Sequence, residues 1–229
     1  MSRLPDLRRR SGEPELLDGD ALSREDVAAN LRDVARLNRL PGGRGASIGA
    51  VRRLLPMMGG TVVDVGTGGA DIPRALVRRL RSASVTAVDC DPAIVALATR
   101  WSRSTPGVCV IEADGLALPM DAEAFDVAHA SLLVHHLDPP EVVMLLHELH
   151  RVSRRGVVVN DLRRGWLPYV ATLASVRAFA RSPITHHDGP LSLRRAYTLG
   201  ELDDLAADAG LRPVHRTPAV MPRVVTVYR

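Results

Sequence analysis

Lysine is absent: all 30 basic positions among the 229 residues are arginine. With abundant alanine, this indicates a bias toward GC-rich codons, so the formal net charge of +4 says little about partners. The arginines are spread as pairs such as Arg52-Arg53, Arg78-Arg79 and Arg154-Arg155, which read as solvated faces rather than a nucleic-acid stripe. Aromatic residues make up only 3%, leaving no interleaved platform on which single-stranded bases could stack. The two cysteines, Cys90 and Cys109, have neither disulfide-framework nor metal-ligand spacing and fit a reducing compartment. No apolar run is long enough to cross a bilayer, and the basic residues Arg3 and Arg8 to Arg10 lead into Ser-Gly-Glu-Pro rather than an apolar segment. These absences predict a cytoplasmic protein with no nucleic-acid or membrane partner.

What is present is an apolar content of 46%, ample for the core of one α/β domain. The chain is organised around Thr61-Val62-Val63-Asp64-Val65-Gly66-Thr67-Gly68-Gly69-Ala70-Asp71. β-branched residues run into a glycine cluster, and Ile72, Ala75, Leu76 and Leu80 follow at helical spacing, so the stretch reads as strand, tight turn and helix. Glycines bring backbone N–H groups close to a ligand, and the helix start offers unpaired donors to an anionic group. The dinucleotide fingerprint G-x-G-x-x-G fits Gly66 and Gly68 but has Asp71 where its third glycine belongs.

Along the chain, residues 1–20 are polar and broken by Pro5, Gly12 and Pro14, which predicts a flexible tail. Val27, Leu31, Val34, Leu37 and Leu40 mark a first helix, and a second runs from about Ala46 to Leu55, so residues 21–58 form an N-terminal helical addition. Four further strands follow, around Val85–Asp89, Val108–Asp114, Phe125–Val134 and Arg155–Asp161, with helical stretches between them. Such βα alternation indicates a doubly wound parallel sheet. The apolar stretch from Trp166 to about Arg181 reads as an inserted helix, and Thr185 to Pro190 as a polar turn, within an insertion at about 165–198. Thr198-Leu199-Gly200-Glu201 is a capping box, and two short β patterns close the chain.

Acids end three successive strands: Asp64, Asp89 and Asp114. Asp89 lies about twenty residues after the glycines, where a carboxylate can accept both hydroxyls of a ribose. Asp91 before Pro92 is the better helix cap, which leaves Asp89 free for a ligand. From about Gly59 to Arg229, this order of motifs resembles the class I S-adenosylmethionine-dependent methyltransferases. The resemblance implies a seven-stranded sheet of order 3-2-1-4-5-7-6, strand 7 antiparallel, over residues 59–229, with residues 21–58 as lid helices. It further implies S-adenosylmethionine as cofactor, held by Asp64, Gly66, Thr67, Gly68, Asp89, Cys90, Asp114, Gly115, Ser131 and His136. The Leu31 to Leu40, Asn160 to Arg164 and His187 to Thr198 segments are similar to a bacterial subgroup often associated with polyketide or other secondary metabolism, antibiotic biosynthesis included.

Methyl transfer from a sulfonium needs alignment and exclusion of water, and a base only if the acceptor is a weak acid such as a phenol. His135, His186 and His187 are the candidates for that base, whereas His129 reads as a packed core residue. Asp138 and Asn160-Asp161 loosely resemble the oxygen ligands of magnesium-dependent catechol methyltransferases, but capping explains them equally well, and no metal is expected. The expected function is methyl transfer to a small, partly apolar acceptor, by a monomer or homodimer. An NAD-dependent oxidoreductase and a non-catalytic S-adenosylmethionine-binding protein remain as alternatives.

Overall fold

Val62 and Val63 are neighbours in sequence but point to opposite faces of a strand, and both are fully buried. A strand covered on both faces by helices needs this unbroken apolar character. The computed structural model describes residues 5–19, 22–217 and 222–229. It contains β1 (Gly60–Val65), β2 (Ala83–Asp89), β3 (Val108–Glu112), β4 (Val127–Ser131), β5 (Val157–Leu162), β6 (Pro213–Arg216) and β7 (Arg223–Tyr228). They form one sheet of order β3-β2-β1-β4-β5-β7-β6. β1 to β5 pair in parallel, while β7 runs antiparallel to both β5 and β6, as the resemblance implies.

The helices are α1 (Arg24–Leu37), α2 (Arg44–Leu54), α3 (Asp71–Arg79), α4 (Pro92–Ser102), α5 (Pro139–Val152), α6 (Trp166–Phe179), α7 (Pro183–Arg195) and α8 (Leu199–Asp208). On one face of the sheet, Leu145, Leu146 and Leu149 of α5 and Leu202 of α8 pack against Val63, Val65, Ala130 and Val159. On the other face, Ile48, Val51 and Leu54 of α2 and Ile72 and Leu76 of α3 cover Val62, Val85, Val127 and Val158. Each such side chain contributes about 1.5–3 kcal/mol on burial. Asp91 caps α4 by accepting the Ala93 N–H at 2.7 Å, and Thr198 and Glu201 close the capping box of α8.

Three expectations are revised. Residues 185–190 are not a turn but the middle of α7, with Pro190 inside the helix. Local Gly-Pro chemistry is overridden by packing: Ile184, Leu191 and Leu193 are buried, and a Cβ on Gly189 would lie 2.7 Å from Val176 of α6. Second, α2 is not a lid but part of the core, and only α1 of the two N-terminal helices borders the cavity described below.

The third revision concerns the stretch expected as a flexible tail, of which residues 1–4 and 20 lie outside the described residues. Its remainder is strapped across α7. Asp188 accepts the backbone N–H groups of Leu16 and Leu17 at 2.9 and 3.0 Å, and Ser11 N–H donates to the Arg194 carbonyl at 2.9 Å. Arg10 bonds the Leu137 and Arg195 carbonyls at 2.7 and 2.8 Å and lies over the Tyr197 ring. Polarity conceals such a segment because its anchors are hydrogen bonds to partners remote in sequence.

Candidate active site

The β1–α3 turn lies where the chain crosses from one half of the sheet to the other, at the carboxyl ends of β1 and β4, the usual ligand crevice of such sheets. Gly66 and Gly68 have φ of 66° and 51°, and a Cβ on Gly66 would come within 2.8 Å of Leu133. The Asp89 carboxylate accepts the Gly68 N–H at 2.9 Å, so the end of β2 braces the turn. Burial raises the pKa of Asp89 and that of Asp71. Asp71 accepts from the Asn38 amide at 3.0 Å through one oxygen, while its other oxygen is buried and has no hydrogen-bond partner among the described residues. Asp114 is exposed at the rim, where it accepts the Leu116 N–H at 2.8 Å.

Beneath the turn runs a buried polar chain. Asp64 accepts from the Thr67 hydroxyl at 2.6 Å and is 2.5 Å from His129 Nδ1. His129 Nε2 lies 2.9 Å from Ser47 Oγ, which also accepts from the Asn160 amide at 2.8 Å. With Asp64 ionised, His129 donates through Nδ1 and accepts from Ser47 through Nε2, so the chain is consistent from end to end. Arg223 of β7 extends it, donating to Asn160 Oδ1 at 3.2 Å, to Ser131 Oγ at 2.7 Å and to Asn38 Oδ1. Burial lowers the Arg223 pKa to about 10, opposed by the charges of Asp161 and Asp71.

A cavity of about 840 Å³ extends from this turn to the strap and α7. Its walls include His135 and His136, which lie on a 3-10 turn spanning Val134–His136 after β4. His135 is buried, with Nδ1 2.6 Å from Asp161 Oδ1 and Nε2 3.8 Å from Glu15 Oε1. Burial works to raise the Asp161 pKa, but the charge of His135 and its hydrogen bond outweigh burial and hold it below the ordinary value. His136 places Nδ1 3.0 Å from Asp18 and Nε2 3.9 Å from Glu15 Oε2. Burial pushes Glu15 up to about 7, opposed by His136 and a hydrogen bond from Ser192, with Asp18 and Asp188 adding repulsion.

The sequence model of the methyltransferase domain family matches residues 62–156. A malonyl-[acyl-carrier protein] O-methyltransferase of Halorhodospira halophila is 33% identical over 132 residues, covering 52% of this chain and 43% of its own. A ubiquinone biosynthesis O-methyltransferase of Pseudomonas paraeruginosa is 30% identical over 160 residues, covering 68% of this chain and 66% of its own. The chain thus spans less than two thirds of the length of either curated relative. A solved S-adenosylmethionine-dependent methyltransferase from Aquifex aeolicus shares the fold, with a TM-score of 0.64 at 20% identity, over 90% of this chain and 97% of that one. Residues 62–156 thus carry a methyltransferase domain, and the chain has the fold of the class I methyltransferases.

S-adenosylmethionine is the cofactor of this family, and the chain has a cradle that fits it. A side chain at Gly66 would fill the turn, the Asp89 carboxylate stands at the end of β2, and Asp71 offers a buried oxygen, without a partner among the described residues, to a cationic amino group. The aspartate in place of the third glycine therefore has a position in the cavity wall. All ten residues expected to hold the cofactor line this cavity: Asp64, Gly66, Thr67, Gly68, Asp89, Cys90, Asp114, Gly115, Ser131 and His136. Of the three candidate bases, only His135 does so. His186 and His187 are exposed on α7, whose cavity face carries Thr185, Asp188 and Ser192 instead.

Sequence reasoning missed Glu15, Asn38 and Arg223. Glu15 fell within the supposed tail, and Arg223 reads as an ordinary charge on a terminal strand. Asp138, compared with a magnesium ligand, pairs with Arg10 at 2.8 Å, and its N–H donates to Glu141 in the capping box of α5 at 2.8 Å.

Proposed function

We propose that the protein transfers a methyl group from S-adenosylmethionine to an oxygen of a small, partly apolar acceptor, a hydroxylated aromatic or polyketide-like secondary metabolite. The observation that carries this reading is His135, buried in the cavity wall and oriented by Asp161 at 2.6 Å. Between the glycine turn and His135 the walls include Leu22, Val27, Leu31, Val34 and Leu133, apolar surface suited to an aromatic acceptor. The name of the Pseudomonas relative, an O-methyltransferase of ubiquinone biosynthesis, favours oxygen as the methylated atom.

The cofactor supplies a methyl group already activated on a sulfonium, so the chain need only align the acceptor and exclude water. Asp89 would accept the ribose hydroxyls and Asp114 the adenine amino group, while Asp71 with the backbone of Gly66 and Gly68 would hold the methionine end. Thr67 keeps Asp64 fixed beneath the turn. Cys90, Gly115, Ser131 and His136 complete the walls of the cofactor pocket. With Nδ1–H donated to Asp161, Nε2 of His135 keeps its lone pair, 3.8 Å from Glu15, and can take the acceptor's proton. A phenol with a pKa near the tyrosine value of about 10 benefits from such a base.

Isothermal titration with S-adenosylmethionine, followed by turnover assays on a panel of phenols and reduced polyketides, tests this reading. Saturable cofactor binding and a product heavier by one methyl group are expected. Cofactor binding without turnover on any hydroxylated acceptor would leave a binding protein in place of an enzyme.

A further inference from the structure

We propose that Glu15, His135 and His136 form a site for a divalent transition-metal ion of the zinc class, open toward the cavity. One ligand atom from each lies within 4.8 Å of the others. Glu15 is 5% exposed, and its Oε1 has no hydrogen-bond partner among the described residues. The Nε2 atoms of the two histidines approach opposite oxygens of that carboxylate at 3.8 and 3.9 Å, too far for hydrogen bonds. Each imidazole is held through Nδ1 by a second carboxylate, Asp161 at 2.6 Å and Asp18 at 3.0 Å. Metal-binding histidines are held in this way, their outer nitrogen given to a carboxylate so that the inner one keeps its lone pair for the ion.

The charge balance also favours a cation. Glu15, Asp18, Asp161 and Asp188 gather around the histidines. The nearest guanidinium, Arg195, is 3.8 Å from Glu15 but donates its hydrogen bonds to the carbonyls of His135, Glu13 and His136. Arg10 likewise bonds the His135 and Leu137 carbonyls and Asp138. Both arginines therefore spend their hydrogen bonds elsewhere and leave Glu15 Oε1 without a donor among the described residues. Two imidazoles and one carboxylate suit Zn²⁺, Co²⁺ or Fe²⁺ better than magnesium, and three protein ligands leave a position for a water or an acceptor oxygen. Metal–ligand bonds of about 2.0–2.1 Å require the donors to draw together to about 3.3 Å, within reach of side-chain rotation and a small shift of the strap. The inference rests on the methyl-transfer reading only for what the ion does: bound at His135 Nε2, it would replace that nitrogen in acidifying an acceptor hydroxyl.

The test uses tag-free, chelator-treated protein titrated with Co²⁺ and followed by visible d–d absorption, with Zn²⁺ as competitor and neither cofactor nor acceptor present. One ion per chain is expected, displaced by Zn²⁺. Glu15→Gln and His136→Asn should abolish the spectrum, Asp18→Asn should weaken binding by about 10- to 100-fold, and His187→Gln, on the exposed side of α7, should leave it unchanged. Circular dichroism and a cooperative thermal transition report whether each variant folds; should Glu15→Gln fail there, Asp18→Asn carries the test. Absence of Co²⁺ and Zn²⁺ uptake, or equal uptake by wild type and the folded variants, overturns the proposal. Failure of the methyl-transfer reading would show separately, as turnover missing with ion binding intact.

Discussion

Arg223, at the start of the antiparallel strand β7, donates through Nε to the side-chain oxygen of Asn160 in β5 at 3.2 Å. The pair joins the floor of the cofactor cavity to the C-terminal strand and continues, through Ser47 and His129, to Asp64 under the glycine turn.

Replacing Arg223 by Met keeps much of the side-chain volume but leaves Asn160, Asn38 and Ser131 without their donor and Asp71 and Asp161 without a neighbouring cation. Removing one partner from a buried charged network costs about 3–5 kcal/mol. Urea denaturation should show a loss of that order, and a loss below about 1 kcal/mol would mean that the network is not coupled to the fold.

For Asp89→Ala, titration calorimetry should show lost S-adenosylmethionine affinity in a protein with unchanged circular dichroism. In the wild type, the carboxylate must be ionised to accept the ribose hydroxyls, and burial raises its pKa. Affinity should therefore fall on acidification, beginning above the usual aspartate range, and Asp89→Asn should remove that dependence. A wild-type affinity flat down to pH about 4 would contradict the ribose assignment.

His135→Gln should lower kcat by about a hundredfold or more while the KM for S-adenosylmethionine stays near wild type. Asp161 acts through His135 as a positioning residue. Asp161→Asn should lower kcat in the same sense, with Asp161→Glu restoring part of it. An equal rise in the cofactor KM for every one of these variants would point to a structural role instead.

Glu15 carries a prediction about stability and pH in the presence of chelator. Its pKa is raised in the folded state, from 4.5 to about 7, so the folded protein binds this proton more tightly than the unfolded chain. The resulting stabilisation is complete below about pH 4.5 and is lost as pH rises through about 7. At about 1.4 kcal/mol per pKa unit the full span is on the order of 3 kcal/mol. Denaturation midpoints across this window should show a drop for wild type that Glu15→Gln lacks.

The sequence pattern was enough to reveal the parallel strands and the glycine turn of the site, whereas the order of the sheet followed only from the family resemblance. Continuous β-branched runs, a glycine pair at a strand end and acids at the ends of β1 and β2 are local signals, each readable within a few residues because strand burial and turn geometry act at short range. The capping boxes and the helical periods of α1 and α3 are legible for the same reason. Tertiary structure alone decided the rest of the site. His186 and His187 had the same chemistry as His135, and only the packing of α7 through Ile184, Leu191 and Gly189 turned them to solvent. Glu15 and Arg223, distant in sequence, enter the cavity because the strap lies over α7 and β7 inserts beside β5. Those contacts depend on chain segments meeting across the fold, which neither spacing nor composition encodes.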